Sequence, residues 1–111
     1  MATIKMMQGD SYVVFINLTI QKQPLLPEMV DDVEICVGES LRKTYSGNGV
    51  WFDSVSRMWY IRPSQEETLA MEEAMYEVTA RVKFTDGDST DVVGIKVGRI
   101  LIQDGSSEEV I

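Results

Sequence analysis

The chain has no histidine and only one cysteine, Cys36. Without histidine the commonest general base is missing, and so is the usual activator of a cysteine or serine nucleophile. A lone cysteine rules out an internal disulfide and is compatible with a reducing compartment. Cys36 lies in the apolar run "DVEICVGE", which reads as a strand, so its expected role is structural filler.

Long apolar runs are also missing. None approaches the roughly 20 residues a membrane-spanning helix needs. The opening Met1-Ala2-Thr3-Ile4-Lys5 has no apolar core of a signal peptide, so synthesis and folding in the cytoplasm are expected.

Positive charge is scarce and scattered. Ten Lys and Arg face 18 Asp and Glu, for a net charge of −8, and Arg42-Lys43 is the only adjacent basic pair. Nucleic acid and anionic lipid are bound by clustered cations, so no nucleic acid and no membrane are expected among the partners. The acidity favours solubility and docking onto a basic protein surface.

What is present reads as β-structure. The 111 residues fit one domain, 1–111, with 1–3 and 103–111 expected to fray. An apolar fraction of 44% with 25% charged residues is ordinary for a globular protein. Ile4 to Met7 reads as a short strand. "SYVVFINLTI" follows as one long strand, with Tyr12, Val14, Ile16, Leu18 and Ile20 sharing a face. "QKQPLLPEM" holds two prolines and reads as an irregular crossing. "DVEICV" points Val33, Ile35 and Val37 inward. "LRKTY" and then, after the turn Ser46-Gly47-Asn48-Gly49, "VWFDS" and "RMWYIR" supply three more strands.

"PSQEETLAM" breaks the pattern. Ser64 with Glu67 three residues on is a capping box preceded by Pro63, which predicts a short helix from Ser64 to about Leu69. Glu66 and Glu67 suit the positive end of that helix. Read instead as a general acid and base, they have no neighbour in sequence to raise a pKa.

"AMYEVTARVKF" alternates cleanly, with Tyr76, Val78, Ala80, Val82 and Phe84 on one face. Beyond the acidic Asp86–Asp91 stretch, Val93, Ile95, Val97 and Leu101 are expected to share a face. Seven to nine short strands with one helical turn near 64–69 give an all-β fold: an immunoglobulin-like antiparallel β-sandwich with Greek-key connections. Ala74-Met75-Tyr76-Glu77-Val78 has the shape of a tyrosine corner, with Val78 where an antibody domain has its second cysteine. Trp59 and Trp51 are the candidates for the core tryptophan.

Candidate sites are few. From Asp86, a calcium loop would need glycine at the sixth position and glutamate at the twelfth, but Asp91 and Val97 stand there. Asp86-Gly87 is therefore read as a hairpin tip, leaving weak calcium binding as the lesser alternative. Asn17-Leu18-Thr19 is a glycosylation sequon by chance in mid-strand. Glu108-Glu109-Val110-Ile111 reads as a frayed tail rather than a ligand for a carboxylate-binding groove. No catalytic, cofactor-binding or metal residues are assigned. Met58, Tyr60 and Met71 are the apolar side chains that would mark an interface if they lie at the surface.

Several segments together resemble a known family. "MQGDSYVVFINLTIQKQPLLPEMVDDVEICVGESLRKTY", "YIRPSQEETLAM", "YEVTARVKFTDGD" and "GIKVGRILI" are similar to the N-terminal immunoglobulin-like domain of the phage baseplate upper protein family. The likeness spans Met7 to Ile102. Its motifs are structural, and no catalytic residues carry over. The resemblance implies a non-catalytic structural protein of a bacteriophage or prophage tail or baseplate, in the bacterial host cytoplasm during assembly and then resident in the virion tail. The implied partners are other tail or baseplate proteins, with self-association as a further option. Many family members continue into a stalk, whereas this sequence ends at Ile111, so an accessory rather than a bridging role is expected. The alternative is an immunoglobulin-like carbohydrate- or protein-binding module unrelated to phage assembly, for which an exposed Trp51 or Trp59 would be the sign.

Overall fold

The computed structural model of the protein describes residues 3–86 and 89–105. Ten strands occur among them: β1 (Thr3–Met7), β2 (Val14–Ile16), β3 (Thr19–Ile20), β4 (Gln23–Pro24), β5 (Asp32–Val37), β6 (Leu41–Thr44), β7 (Trp51–Asp53), β8 (Met58–Ile61), β9 (Ala74–Asp86) and β10 (Ser89–Gln103). A 3-10 turn spans Pro27–Met29, and the helix α1 spans Gln65–Leu69.

The period-two strands can bury only one face each, so they close against one another as two layers. A five-stranded sheet has the order β1-β10-β9-β5-β6, and a three-stranded sheet has the order β2-β8-β7. All these pairs are antiparallel except β1 with β10. The chain crosses between the layers after β1, β4, β6 and β8, as an immunoglobulin-like sandwich requires. Val33, Ile35, Val37, Val78, Ala80 and Val82 from the larger sheet meet Val14, Ile16, Trp59 and Ile61 from the smaller one, all buried.

Trp59 is the tryptophan of this core, but it stands on β8 of the smaller sheet and not on β5, the strand beside β9 where an immunoglobulin domain carries its own. It is fully buried on β8, donates its indole N–H to the Leu25 carbonyl at 2.9 Å, and meets Tyr45 and Phe52 edge-on. The tyrosine corner forms as expected: the Tyr76 hydroxyl donates to the Glu72 carbonyl at 2.7 Å. Its ring leaves no room at Gly38, where a Cβ would lie 2.9 Å from Tyr76 Cδ1 and where φ is +53°. Only glycine meets both conditions without strain.

The capping box of α1 also forms. Ser64 Oγ accepts from the Glu67 amide, and the Glu67 carboxylate accepts from the Ser64 amide. This helix ties the N-terminal turn to the sandwich. The Thr68 hydroxyl, buried, accepts from the Gly9 amide at 3.0 Å and donates to the Asp10 carbonyl at 2.8 Å. The Gln8 side-chain amide donates to the Met71 carbonyl. The Gln-Gly-Asp opening and the Ser-Gln-Glu-Glu-Thr turn are thus one packed unit.

Three expectations need correction. Ser11 to Ile20 is not one strand. Gln21 and Lys22 both take positive φ and fold β3 and β4 into a small hairpin, which draws the chain away from β8 after Ile16. Tyr12 lies outside the core and donates its hydroxyl to the Lys5 carbonyl. In β10 the register slips between Lys96 and Gly98. One extra residue at such a bulge exchanges the two faces beyond it. Ile100 and Ile102 therefore face the core, and Leu101 does not. Lastly, Thr3 pairs with Arg99 and Gln103 with Met7, so neither is frayed. Residues 106–111, including the apolar C-terminal tetrapeptide, lie outside the described residues.

Candidate functional site

Of the ionic groups singled out in the sequence, Arg42, Lys43 and Glu67 are engaged within the chain. Lys43 Nζ lies 2.8 Å from Glu67 Oε2, and Arg42 Nε lies 2.6 Å from Glu34 Oε2. Burial works to raise the Glu67 carboxyl. The Lys43 and Ser64 hydrogen bonds outweigh it and hold the group below its usual value. That is the setting of a structural cap, the opposite of a general acid's. Cys36 is half-buried on the outer face of the larger sheet, not in the core. Burial and its hydrogen bond to Glu34 push the thiol up, away from the thiolate.

Asp86 is paired with Ser89, which makes the acidic stretch the end of the β9–β10 hairpin. Its Gly87-Asp88 link lies outside the described residues. Among the described residues no cluster of three or more Asp, Glu, His or Cys is placed to hold a metal ion. No helix among them is long and apolar enough to cross a membrane. Met71 is a core residue rather than an interface one.

The outer face of the three-stranded sheet is different. On β2, β8 and β7 the buried residues are Val14, Ile16, Trp59 and Ile61, so the intervening Phe15, Tyr60 and Trp51 point to the opposite side. The register sets Phe15 opposite Tyr60, and Tyr60 opposite Trp51. Three aromatic rings therefore run in one row across three strands, with adjacent centroids 5.6 Å apart. Phe15 is 46% exposed and Trp51 38%. Met58 flanks the row on β8 by the same alternation, and Arg62 follows the strand's end, exposed.

The second open feature is an edge. β1 covers β10 only from Arg99 to Gln103, and β5 lies on the far side of β9. Among the described residues, the outer edge of β10 from Ser89 to Lys96 therefore has no strand beside it. Val92 and Val93 on that edge are 52% and 44% exposed.

In comparison with known proteins, the chain matches no protein-family model and no curated protein.

Sequence reading found Tyr60 and Trp51 but missed Phe15. The signal was present: in each of the three strands an aromatic occupies the phase that alternation assigns to solvent. What joins them is the pairing of β2 with β8 across 45 positions, which local pattern does not give.

Proposed function

We propose that this chain is a non-catalytic structural protein of a bacteriophage or prophage tail or baseplate. It works by docking the outer face of its three-stranded sheet onto a neighbouring tail protein. The row Phe15–Tyr60–Trp51 carries this reading. Aromatic side chains gathered on a sheet face and left half in water favour a protein partner, because they supply large contact area with few rotatable bonds. With a net charge of −8 on the chain, the complementary partner surface is basic. The family resemblance supports the tail assignment. The segments that carry it, the Gln8-Gly9-Asp10 opening and the Ser64–Thr68 turn, are bonded to each other in the fold.

Ring geometry weighs against the alternative of a glycan-binding module. A sugar stacks on an open ring face. Tyr60 and Trp51 lie 26° from parallel at 5.6 Å, so each ring partly covers one face of the other.

Sequencing the DNA that flanks the gene tests the assignment. Tail-tape, distal-tail or receptor-binding genes alongside it are expected. Cell-wall or metabolic neighbours would move the reading to a binding module outside phage assembly.

A further inference from the structure

We infer that five cations on the outer face of the five-stranded sheet form a track for single-stranded nucleic acid, which they hold by its phosphates. The inference stands on that face alone and does not rest on the tail assignment.

Along the sequence the ten Lys and Arg are scattered, and by that measure nucleic acid is an unexpected partner. The fold collects half of them. On β9, Val78, Ala80 and Val82 are buried, so Arg81 and Lys83 point outward. The register carries that face across the sheet. Lys83 lies opposite Val92, Arg81 opposite Gly94, and Lys96 opposite Thr79. Beyond the bulge, Arg99 lies opposite Glu77, and Lys5 of β1 opposite Leu101. Lys83, Arg81, Lys96, Arg99 and Lys5 therefore cross the sheet diagonally in single file, all exposed. Strand geometry sets consecutive members about 7–8 Å apart and the whole file at about 30 Å. Among the described residues none of the five forms an ion pair, whereas Arg42 on the same face does, with Glu34.

The acids of this face lie to one side of the file, toward β5. Asp32 and Glu34 are opposite Lys83 and Arg81, Glu77 is opposite Arg99, and Asp31 meets Thr85 at the rim. Asp32 is engaged by Ser46 and Val33, and Glu34 by Arg42. On the other side stand Val92, Gly94 and Thr3, which carry no charge. A polyanion laid along the cations meets no like charge on that flank. At physiological ionic strength, charges more than about 8 Å away are largely screened, so the file and not the net charge of −8 sets the local field.

Composition and shape select the occupant. Protein interfaces are depleted of charge at their centre and enriched in aromatic rings, while interfaces with nucleic acid are strongly positive. The aromatic row of the smaller sheet answers the first description and this file the second. Among the described residues no aromatic ring shares the face, so the contacts are to phosphate rather than base, and binding is indifferent to sequence. A duplex presents two rows of phosphates. The cations form one, which matches a single strand with one charge per nucleotide.

The test follows the anisotropy of a fluorescein-labelled oligothymidylate of about 12 nucleotides, titrated with the full chain at about 20 to 200 mM NaCl. Five phosphate contacts on a single strand predict a slope of about −3.5 for log K against log salt. Arg81→Gln, Lys96→Gln and Arg99→Gln should each make the slope shallower by about 0.7, and together should weaken binding at least about tenfold at low salt. These are exposed side chains, so Tm should stay within a few degrees of the parent. Lys22→Gln removes a cation off the file and should leave the slope unchanged, and Glu77→Gln should tighten binding. No binding at the lowest salt, a slope no steeper than about −1, or an equal loss from Lys22→Gln would overturn the proposal. Tighter binding of a duplex of the same length would also overturn it. Equal binding of an oligoglutamate of the same charge would hand the face to an acidic protein, and the proposal would fail.

Discussion

Thr68 stands between two consecutive residues of a distant turn: its hydroxyl accepts from the Gly9 amide and donates to the Asp10 carbonyl. One buried side chain thereby satisfies both partners of a segment that belongs to neither sheet. Thr68→Val keeps the shape and removes both bonds. It is expected to cost about 1–3 kcal/mol, because two partly buried backbone groups lose their partner. Thermal unfolding should show a fall in Tm on the order of 10 °C. Thr68→Ser retains the hydroxyl and should recover most of the loss.

Gly38 and Tyr76 form a second coupled pair. Tyr76→Phe removes the bond to the Glu72 carbonyl and should cost about 1 kcal/mol. Gly38→Ala meets both the ring and a left-handed φ, and should cost about 1–3 kcal/mol. A double-mutant cycle by urea denaturation, with Tyr76→Val as the second change, should show that removing the ring relieves part of the Gly38→Ala penalty. Strict additivity would mean that the backbone angle alone demands the glycine.

Trp59→Phe leaves the Leu25 carbonyl without its indole donor and opens a void among Tyr45 and Phe52. A loss of about 2–4 kcal/mol is expected from the two effects together. Trp51→Phe, at the exposed edge of the other face, should change stability by less than about 0.5 kcal/mol. Trp fluorescence separates the two sites: the buried indole should emit at shorter wavelength than the exposed one.

Acid should destabilise the fold through two carboxylates. Asp32 is opposed by burial, but it accepts from the Ser46 amide and hydroxyl and from the Val33 amide, and its pKa ends below the usual value. Glu67 is lowered in the same way by Lys43 and Ser64. A carboxylate with a depressed folded-state pKa adds stability above its unfolded pKa and loses it as pH falls through the folded one. Stability measured by urea titration should therefore be flat near neutrality and fall as pH drops from the ordinary carboxylate range downward. Asp32→Asn and Glu67→Gln should each flatten that acid limb. An unchanged limb in both would contradict the assigned bonds.

Much of this fold was legible along the chain. The alternation in β9 gave its inward face residue by residue, Ser64 and Glu67 marked the capping box, and Tyr76 marked the corner. Three features were not. The β3–β4 hairpin turns on Gln21 and Lys22, which adopt positive φ without the Asn or Gly that usually signals it. The bulge at Val97 shifts the phase of β10, and the apolar run Ile100 to Ile102 fits either phase. The open edge of β10 depends on where β1 begins to pair with it, at Thr3 opposite Arg99, which is a fact of topology. The docking face has the same character, since its three rings come from strands far apart in the sequence.

The central claim is that the aromatic face holds the chain in a phage tail. Mass spectrometry of purified tail particles, comparing the unmodified protein with the Phe15→Ser/Trp51→Ser variant, tests it most directly. Truncating anchors of this kind typically costs about 2 kcal/mol or more in binding, which is roughly thirtyfold in affinity. The account predicts a protein present in stoichiometric amounts in wild-type particles and depleted at least about tenfold for the variant, whose Tm stays within a few degrees of the parent. Its absence from wild-type particles, or undiminished incorporation of the variant, would contradict the account.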